Sequence, residues 1–323
     1  MSINITKKDY NKEIGFSRLE LNIKGKEINH IIINSIRRII LSNIPTYAYS
    51  DIKITKNTSV FNNDYLKLRI SNIPVWGVEN NFDKLINKNK ETTETFDEEN
   101  GLEEKEEDIE DNIDASIINR MNMYVNYKNE TNDIYFVTTD NAEFQYKSEQ
   151  IKSPYPFPME IVDLQPNQEI TLIATAELGD QEISSIYSAV SVCFFIQNEI
   201  NDYDFILESR GQIKEHKIIY IAIKLLIKKL HNFISIIPKN NKLEGIIKIN
   251  DEEHTLGNLI SDAMQKHESV RYFGYNVPHP MVKSVEMHYQ LISGNINNIF
   301  KDVVSNYEKI LEKMLDQIKK INK

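Results

Sequence analysis

The chain has one cysteine and no surplus of basic residues, and each shortage removes a class of function. Cys193 alone cannot form an internal disulfide, a Cys-based zinc site or an iron-sulfur cluster, so a reducing intracellular setting fits and no metal or cofactor is expected. The formal charge is -10, yet Glu91 to Asp114 holds thirteen Asp or Glu against one Lys, which leaves the rest nearly neutral. A chain without a basic footprint does not grip DNA or RNA tightly by itself, and proteins are the expected partners. The greasiest run, 218–227, is broken by Lys224 and falls far short of the ~20 residues a membrane span needs. The N-terminus is polar and lacks the apolar centre of a signal peptide. The phosphate-binding Gly-x-x-x-x-Gly-Lys, the dinucleotide Gly-x-Gly-x-x-Gly, the nucleophile elbow Gly-x-Ser-x-Gly and the zinc-binding His-Glu-x-x-His are all absent.

What is present is a pattern that runs twice. With 323 residues, 41% of them hydrophobic, the chain can bury at least one sizeable core and fold as two or three units. Phe16 to Ile23 alternates as a half-buried strand does, and the period then changes. Ile28, Ile32, Ile36, Ile39 and Ile40 make one stripe of a helix that Pro45 must end. Strand patterns follow at 48–55, between 121 and 137, and at 169–176, 190–196 and 204–207, before a helix over about 213–234. The acidic segment at about 87–114 reads as a solvated loop, either an insertion without a role or an interaction tail.

Pro238 to Lys242 is the clearest linker, and after it the cycle restarts. Residues 243–249 read as a strand, and Leu256, Leu259, Ile260, Ala263 and Met264 as the stripe of a short helix with Thr255 as its N-cap. Strands over 269–275 and 284–291 lead into one long amphipathic helix whose stripe runs from Ile296 to Ile321 through Val304 and Leu311. That stripe outruns what its own small unit can cover, so the helix is expected to pack against the helix at 213–234. His30 and Asn34 in the first cycle match His254 and Asn258 in the second, which points to equivalent helix starts with equivalent capping. Related units on one chain pair about a pseudo-twofold axis as a symmetric dimer does, and a five-residue linker keeps them adjacent.

The segment Asn34-Ser-Ile-Arg-Arg-Ile-Ile-Leu-Ser-Asn-Ile-Pro45 resembles the Asn-Ala-Leu-Arg-Arg-Ile-Leu-Leu-Ser-x-x-Pro helix of the RNA polymerase alpha family. Asn57-Thr-Ser-Val60, the segment from Asp64 to Pro74, the strand from Pro166 to Gly179 and Phe205-Ile-Leu-Glu-Ser-Arg-Gly211 are similar to successive motifs of that family. Beyond the linker, His254-Thr-Leu-Gly-Asn-Leu-Ile260 and Gly274-Tyr-Asn-Val-Pro-His-Pro280 resemble the smaller alpha-like subunits, archaeal L and the eleventh subunit of nuclear polymerase II. Two features depart from the pattern: where relatives carry His-Ala-Lys-Trp, this chain has Ser184-Ser-Ile-Tyr187, and the Cys-bound zinc or iron-sulfur cluster that some relatives hold in the inserted domain cannot form with Cys193 alone. The Asp-x-Asp-x-Asp magnesium cluster of the family's largest subunit is missing too, so nucleotidyl transfer is expected on other chains.

The resemblance implies an α+β fold in which two alpha-like dimerisation units pair within one molecule in place of a homodimer. The expected division is a first unit at 1–60 and 166–237, a mostly β insert at 61–165, a linker at 238–242 and a second unit at 243–323. It implies a non-catalytic assembly platform that docks the largest and second-largest subunits and small accessory subunits of a DNA-directed RNA polymerase. The interface residues expected on this basis are Asn34, Ile36, Arg37, Arg38 and Ile40 in the first unit, and His254, Leu256, Asn258, Leu259, Pro278, His279, Val304 and Leu311 in the second. Arg37 and Arg38 point ~100° apart on a helix and cannot share one contact, which leaves docking or a solvated pair open. The fusion and the AT-rich coding bias resemble large nucleocytoplasmic DNA viruses, with the host cytoplasm and the virion as expected locations and the nucleus as the alternative. Two rival readings remain: a dimerisation scaffold of another transcription complex, and a hydrolase built on Asp251, Glu252, Glu253 and His254.

Overall fold

The computed structural model describes residues 3–13, 16–78, 121–237, 242–279 and 281–321. The acidic segment and most of the linker lie outside the described residues. The fold is α+β and every strand pairing among the described residues is antiparallel.

The chain opens with β1 (Asn4–Glu13) and β2 (Phe16–Lys24), followed by α1 (His30–Ser42). β1 is a polar edge strand that contributes only Ile5 to the core, so hydrophobic alternation does not announce it. Asn29 caps α1 by accepting the Ile32 amide at 2.9 Å, and Ile32, Ile36, Ile39 and Ile40 are all buried. The middle of the chain holds β3 (Thr46–Asn57), α2 (Asn63–Ser71), β4 (Met121–Lys128), β5 (Tyr135–Thr138), β6 (Ala142–Tyr146), β7 (Glu149–Ile151), β8 (Glu160–Leu164) and β9 (Glu169–Gly179). The chain then returns through β10 (Val190–Glu199) and β11 (Asp202–Ser209) into α3 (Glu215–Ile236). The second cycle consists of β12 (Glu244–Asn250), α4 (His254–Gln265), β13 (Val270–Asn276), β14 (Ser284–Leu291) and α5 (Ile296–Ile321).

The sheets repeat the sequence cycle in space. The first has the order β1-β2-β11-β10 and the second β12-β14-β13. Setting β1 aside, each places its opening strand next to the strand that leads into the closing helix and the remaining strand outside. The same connectivity twice is the structural form of the internal repeat.

The insert has its own five-stranded sheet, β3-β9-β4-β6-β7, with β5 and β8 paired beside it. This departs from the expected boundaries at 60 and 166. Tyr49 and Ile52 of β3 and Ile170, Leu172, Ala174 and Ala176 of β9 pack in the insert's core with Met123, Val125 and Phe144. Apolar alternation shows that a strand is half-buried; it does not show which sheet receives it. The insert's hydrophobic core therefore runs from residue 49 to 176, on both sides of the expected division.

The insert is fastened to the first unit at Gly211. This residue has φ +88°, and a Cβ there would run into the Trp76 ring. Trp76 Nε1 donates to the Arg210 carbonyl at 3.2 Å, and Arg210 Nη2 donates to the Asn72 carbonyl at 2.6 Å. Glycine is required here on two counts, a left-handed backbone and a ring laid against the chain. Tyr187, in the segment that departs from the family pattern, is buried with its ring against Gly179, and Thr46 donates to its carbonyl.

Candidate assembly interface

Four helices bring the two units together, α1 against α4 and α3 against α5. Ile36 and Ile40 of α1, Leu256 and Leu259 of α4, and Val304 and Leu311 of α5 all belong to one continuous core with Ile218, Leu226 and Phe233 of α3. Phe300 of α5 stands edge-on to Phe233 at 5.1 Å and to Phe273 of β13 at 5.9 Å, so one ring ties both units together. The stripe of α5 is covered by α3 and by β1, as its length requires. Six of the expected interface residues are thus internal: their side chains are buried between the units, where no further subunit can touch them.

A polar rim surrounds this core. Asn29 Nδ2 donates to Asp262 Oδ2 at 2.9 Å, and Arg38 Nε donates to Thr255 Oγ1 at 2.7 Å with its guanidinium 3.8 Å from Glu253. Lys229 meets Glu252 at 3.1 Å, Lys283 meets Glu182 at 2.5 Å, His231 meets Glu308 at 2.9 Å and Lys313 meets Glu27 at 3.3 Å. Most of these pairs are half exposed and each contributes at most about 1 kcal/mol, so apolar burial carries affinity and the rim sets register. Glu252 is the most enclosed of them: burial pushes its carboxyl above the usual range, and the ammonium of Lys229 pulls it back in part.

The helix starts do match, but not by the expected capping. His30 and His254 are each the first residue of their helix. Asn29 caps α1 through its side chain, whereas Glu253, not Thr255, is the N-cap of α4 and makes no side-chain capping bond. The helix begins before Thr255, with the Gly257 amide donating to the Glu253 carbonyl at 3.2 Å, and the Thr255 hydroxyl accepts from Arg38. His254 Nδ1 lies 3.3 Å from the Tyr275 hydroxyl.

The two arginines go to different partners. Arg38 crosses to the second unit, while Arg37 folds back on its own helix, donating through Nε and Nη2 to Asn34 Oδ1 at 3.0 and 2.9 Å. Arg37 and Asn34 are half-buried at the molecular surface. Pro278 and His279 are exposed on the loop after β13, where His279 Nδ1 accepts the Met281 amide at 3.1 Å. Asn258 is half-buried on α4, and His254 is exposed.

The acidic run at 251–254 does not converge on one point. Glu252, Glu253 and His254 turn to Lys229, Arg38 and Tyr275 respectively. The cleft that Asp251, Glu252 and Glu253 border with Glu182 and Lys283, and His254 does not, has a volume of about 50 Å³, room for a few waters and not for an organic substrate. No described helix is long and apolar enough to cross a membrane.

Comparison with known families agrees with this two-unit arrangement. The model of the RNA polymerase Rpb3/Rpb11 dimerisation domain matches twice, over residues 23–230 and, in a second version, over 244–317. The chain is 24% identical over 326 residues to a protein provisionally named a DNA-directed RNA polymerase subunit in Acanthamoeba polyphaga mimivirus, covering 94% of this chain and 90% of that one. It is 24% identical over 203 residues to the polymerase subunit Rpo3 of Methanocaldococcus jannaschii, which is 62% of this chain and 82% of the relative. It is 32% identical over 88 residues to subunit Rpo11 of Sulfolobus acidocaldarius, 26% of this chain and 91% of the relative.

Proposed function

Because the chain belongs to the RNA polymerase Rpb3/Rpb11 dimerisation-domain family, we propose that it is the assembly platform of a multi-subunit DNA-directed RNA polymerase and does no chemistry itself. The observation that carries this reading is the single core shared by α1, α3, α4 and α5, in which one polypeptide supplies both halves of an alpha-like pair. The two matches to the dimerisation domain, over residues 23–230 and 244–317, lie on either side of the linker region, and two separate archaeal subunits, Rpo3 and Rpo11, are similar to parts of this one chain.

Internal pairing leaves the outer surface for the rest of the enzyme. Arg37 and Asn34 on α1, His254 and Asn258 on α4, and Pro278 with His279 after β13 are the residues we assign to docking of the largest, second-largest and small accessory subunits. Arg is the residue best suited to such a contact, since its planar fork meets carboxylates two bonds at a time. The similarity to a mimivirus protein supports a place in viral transcription machinery, with the host cytoplasm and the virion as the sites to examine first and the nucleus as the alternative.

Affinity purification of the tagged chain from its native source tests this reading. Recovery of the two largest polymerase subunits in near-stoichiometric amount is the expected result. Recovery of unrelated transcription proteins would favour a scaffold elsewhere, and hydrolytic activity in the chain without partners would favour an enzyme.

A further inference from the structure

The two short helices face each other about the pseudo-twofold axis, and their polar contacts obey it. Arg38 is the ninth residue of α1 and Asp262 the ninth of α4. Each reaches the N-cap residue of the opposite helix: Arg38 comes within 3.8 Å of Glu253, and Asp262 accepts from Asn29 at 2.9 Å. One geometric contact thus occurs twice with different chemistry. A cation meets a carboxylate at one end, and a carboxylate meets a neutral amide at the other.

We infer that this exchange of charge at equivalent positions makes the two units pair with each other and keeps the second unit from pairing with a copy of itself. In an isologous contact, position nine of one helix meets the N-cap of its mate. A self-paired second unit would therefore set Asp262 against Glu253 twice, four carboxylates in two close contacts. Lys266, 2.7 Å from Asp262, offsets one carboxylate at each end and leaves the other. A self-paired first unit would set Arg38 against Asn29, without repulsion but without the carboxylate that Glu253 supplies. Among the three possible pairings, the mixed one alone combines an attractive end with a neutral end. Two other rim contacts do not discriminate in this way. Lys229 meets Glu252 and Lys313 meets Glu27, so each closing helix offers a lysine to an acid just before the opposite short helix, and a self-paired unit could form the same kind of bond. Specificity by a placed repulsion is the economical solution when two related units share one apolar seam.

This pairing preference belongs to the isolated chain and does not depend on the polymerase reading. Its test is the mass of the full-length protein by sedimentation, with wild type expected to be monomeric. In the double variant Arg38→Asp with Asp262→Arg, the carboxylate introduced at position 38 would oppose Glu253 within the chain, whereas the guanidinium introduced at position 262 would attract Glu253 of a second copy. That variant should associate roughly tenfold more strongly than wild type, the combined size of two exposed charge contacts, seen as a weight-average mass that rises at roughly tenfold lower protein concentration than in wild type. Adding Glu253→Arg restores an attractive end within the chain and makes self-pairing repulsive, so the triple variant should return to a monomer with the wild-type thermal midpoint. A double variant that stays monomeric with an unchanged midpoint would overturn the inference. So would a triple variant that associates as strongly as the double variant or is unfolded, and so would a wild type that dimerises through α4.

Discussion

Phe233 of α3 and Phe300 of α5 meet edge to face, with centroids 5.1 Å apart and planes at 88°. The two rings come from different units, and Phe300 belongs to a stripe of α5 that is buried almost to the end of the helix. The pairing is therefore an extension of the folding core, and damage to it should be felt as instability of the whole molecule.

Val304 and Leu311, 4% and 1% exposed, sit within that stripe. Val304→Asp or Leu311→Asp would place an unpaired carboxylate between the units at a cost of about 3–5 kcal/mol. Thermal unfolding should show a lowered midpoint in both variants and an unchanged one in Lys309→Asp on the exposed face of the same helix. An unchanged midpoint in the two stripe variants would show that α5 is not held by this packing.

Gly211→Ala tests the joint between the insert and the first unit. A methyl group would collide with the Trp76 ring on a backbone at φ +88°, destabilising the joint by about 1–3 kcal/mol. Trp76 is the sole tryptophan, so its fluorescence reports the site directly. The emission of the variant should shift to longer wavelength before the far-ultraviolet dichroism changes; identical spectra and stability would contradict the joint.

These elements differ in how far the sequence discloses them. The α5 stripe and the helix stopped by Pro45 are visible because a 3.6-residue period survives over many turns. The match of His30 with His254 shows as a repeat. The assignment of β3 and β9 to the insert is not legible, because either sheet satisfies an alternating strand. Asp262 escapes notice for a different reason: on its own helix it is an ordinary solvent-side residue, and its partner Asn29 lies 233 positions away. Resemblance marks Arg38, but whether it turns inward or outward depends on a second unit whose placement no local pattern encodes.

Glu252 makes the seam sensitive to acidity. Its carboxyl titrates above the ordinary 4.5 when folded, because burial outweighs Lys229. The folded state therefore holds the proton more tightly than the unfolded state, and stability falls as pH rises from about 4.5 through the raised value, then levels off. In Glu252→Gln this part of the pH profile should be absent. Thermal midpoints taken across that window check the sign; a parallel profile in the variant would contradict it.

Cys193 is buried, and burial pushes its thiol up to about 12 although the nearby Arg37 acts in the opposite direction. At neutral pH the native protein should react with a thiol reagent only through unfolding, at a rate that denaturant accelerates. Rapid modification under native conditions would mean that β10 opens without the rest of its sheet.

The central claim is that one chain supplies both alpha-like units. Native mass spectrometry of the polymerase, purified through its largest subunit, counts the copies. One copy of this chain per largest subunit, with no separate small alpha-like subunit beside it, is the predicted result; two copies, or a second alpha-like protein in the same particle, would contradict it.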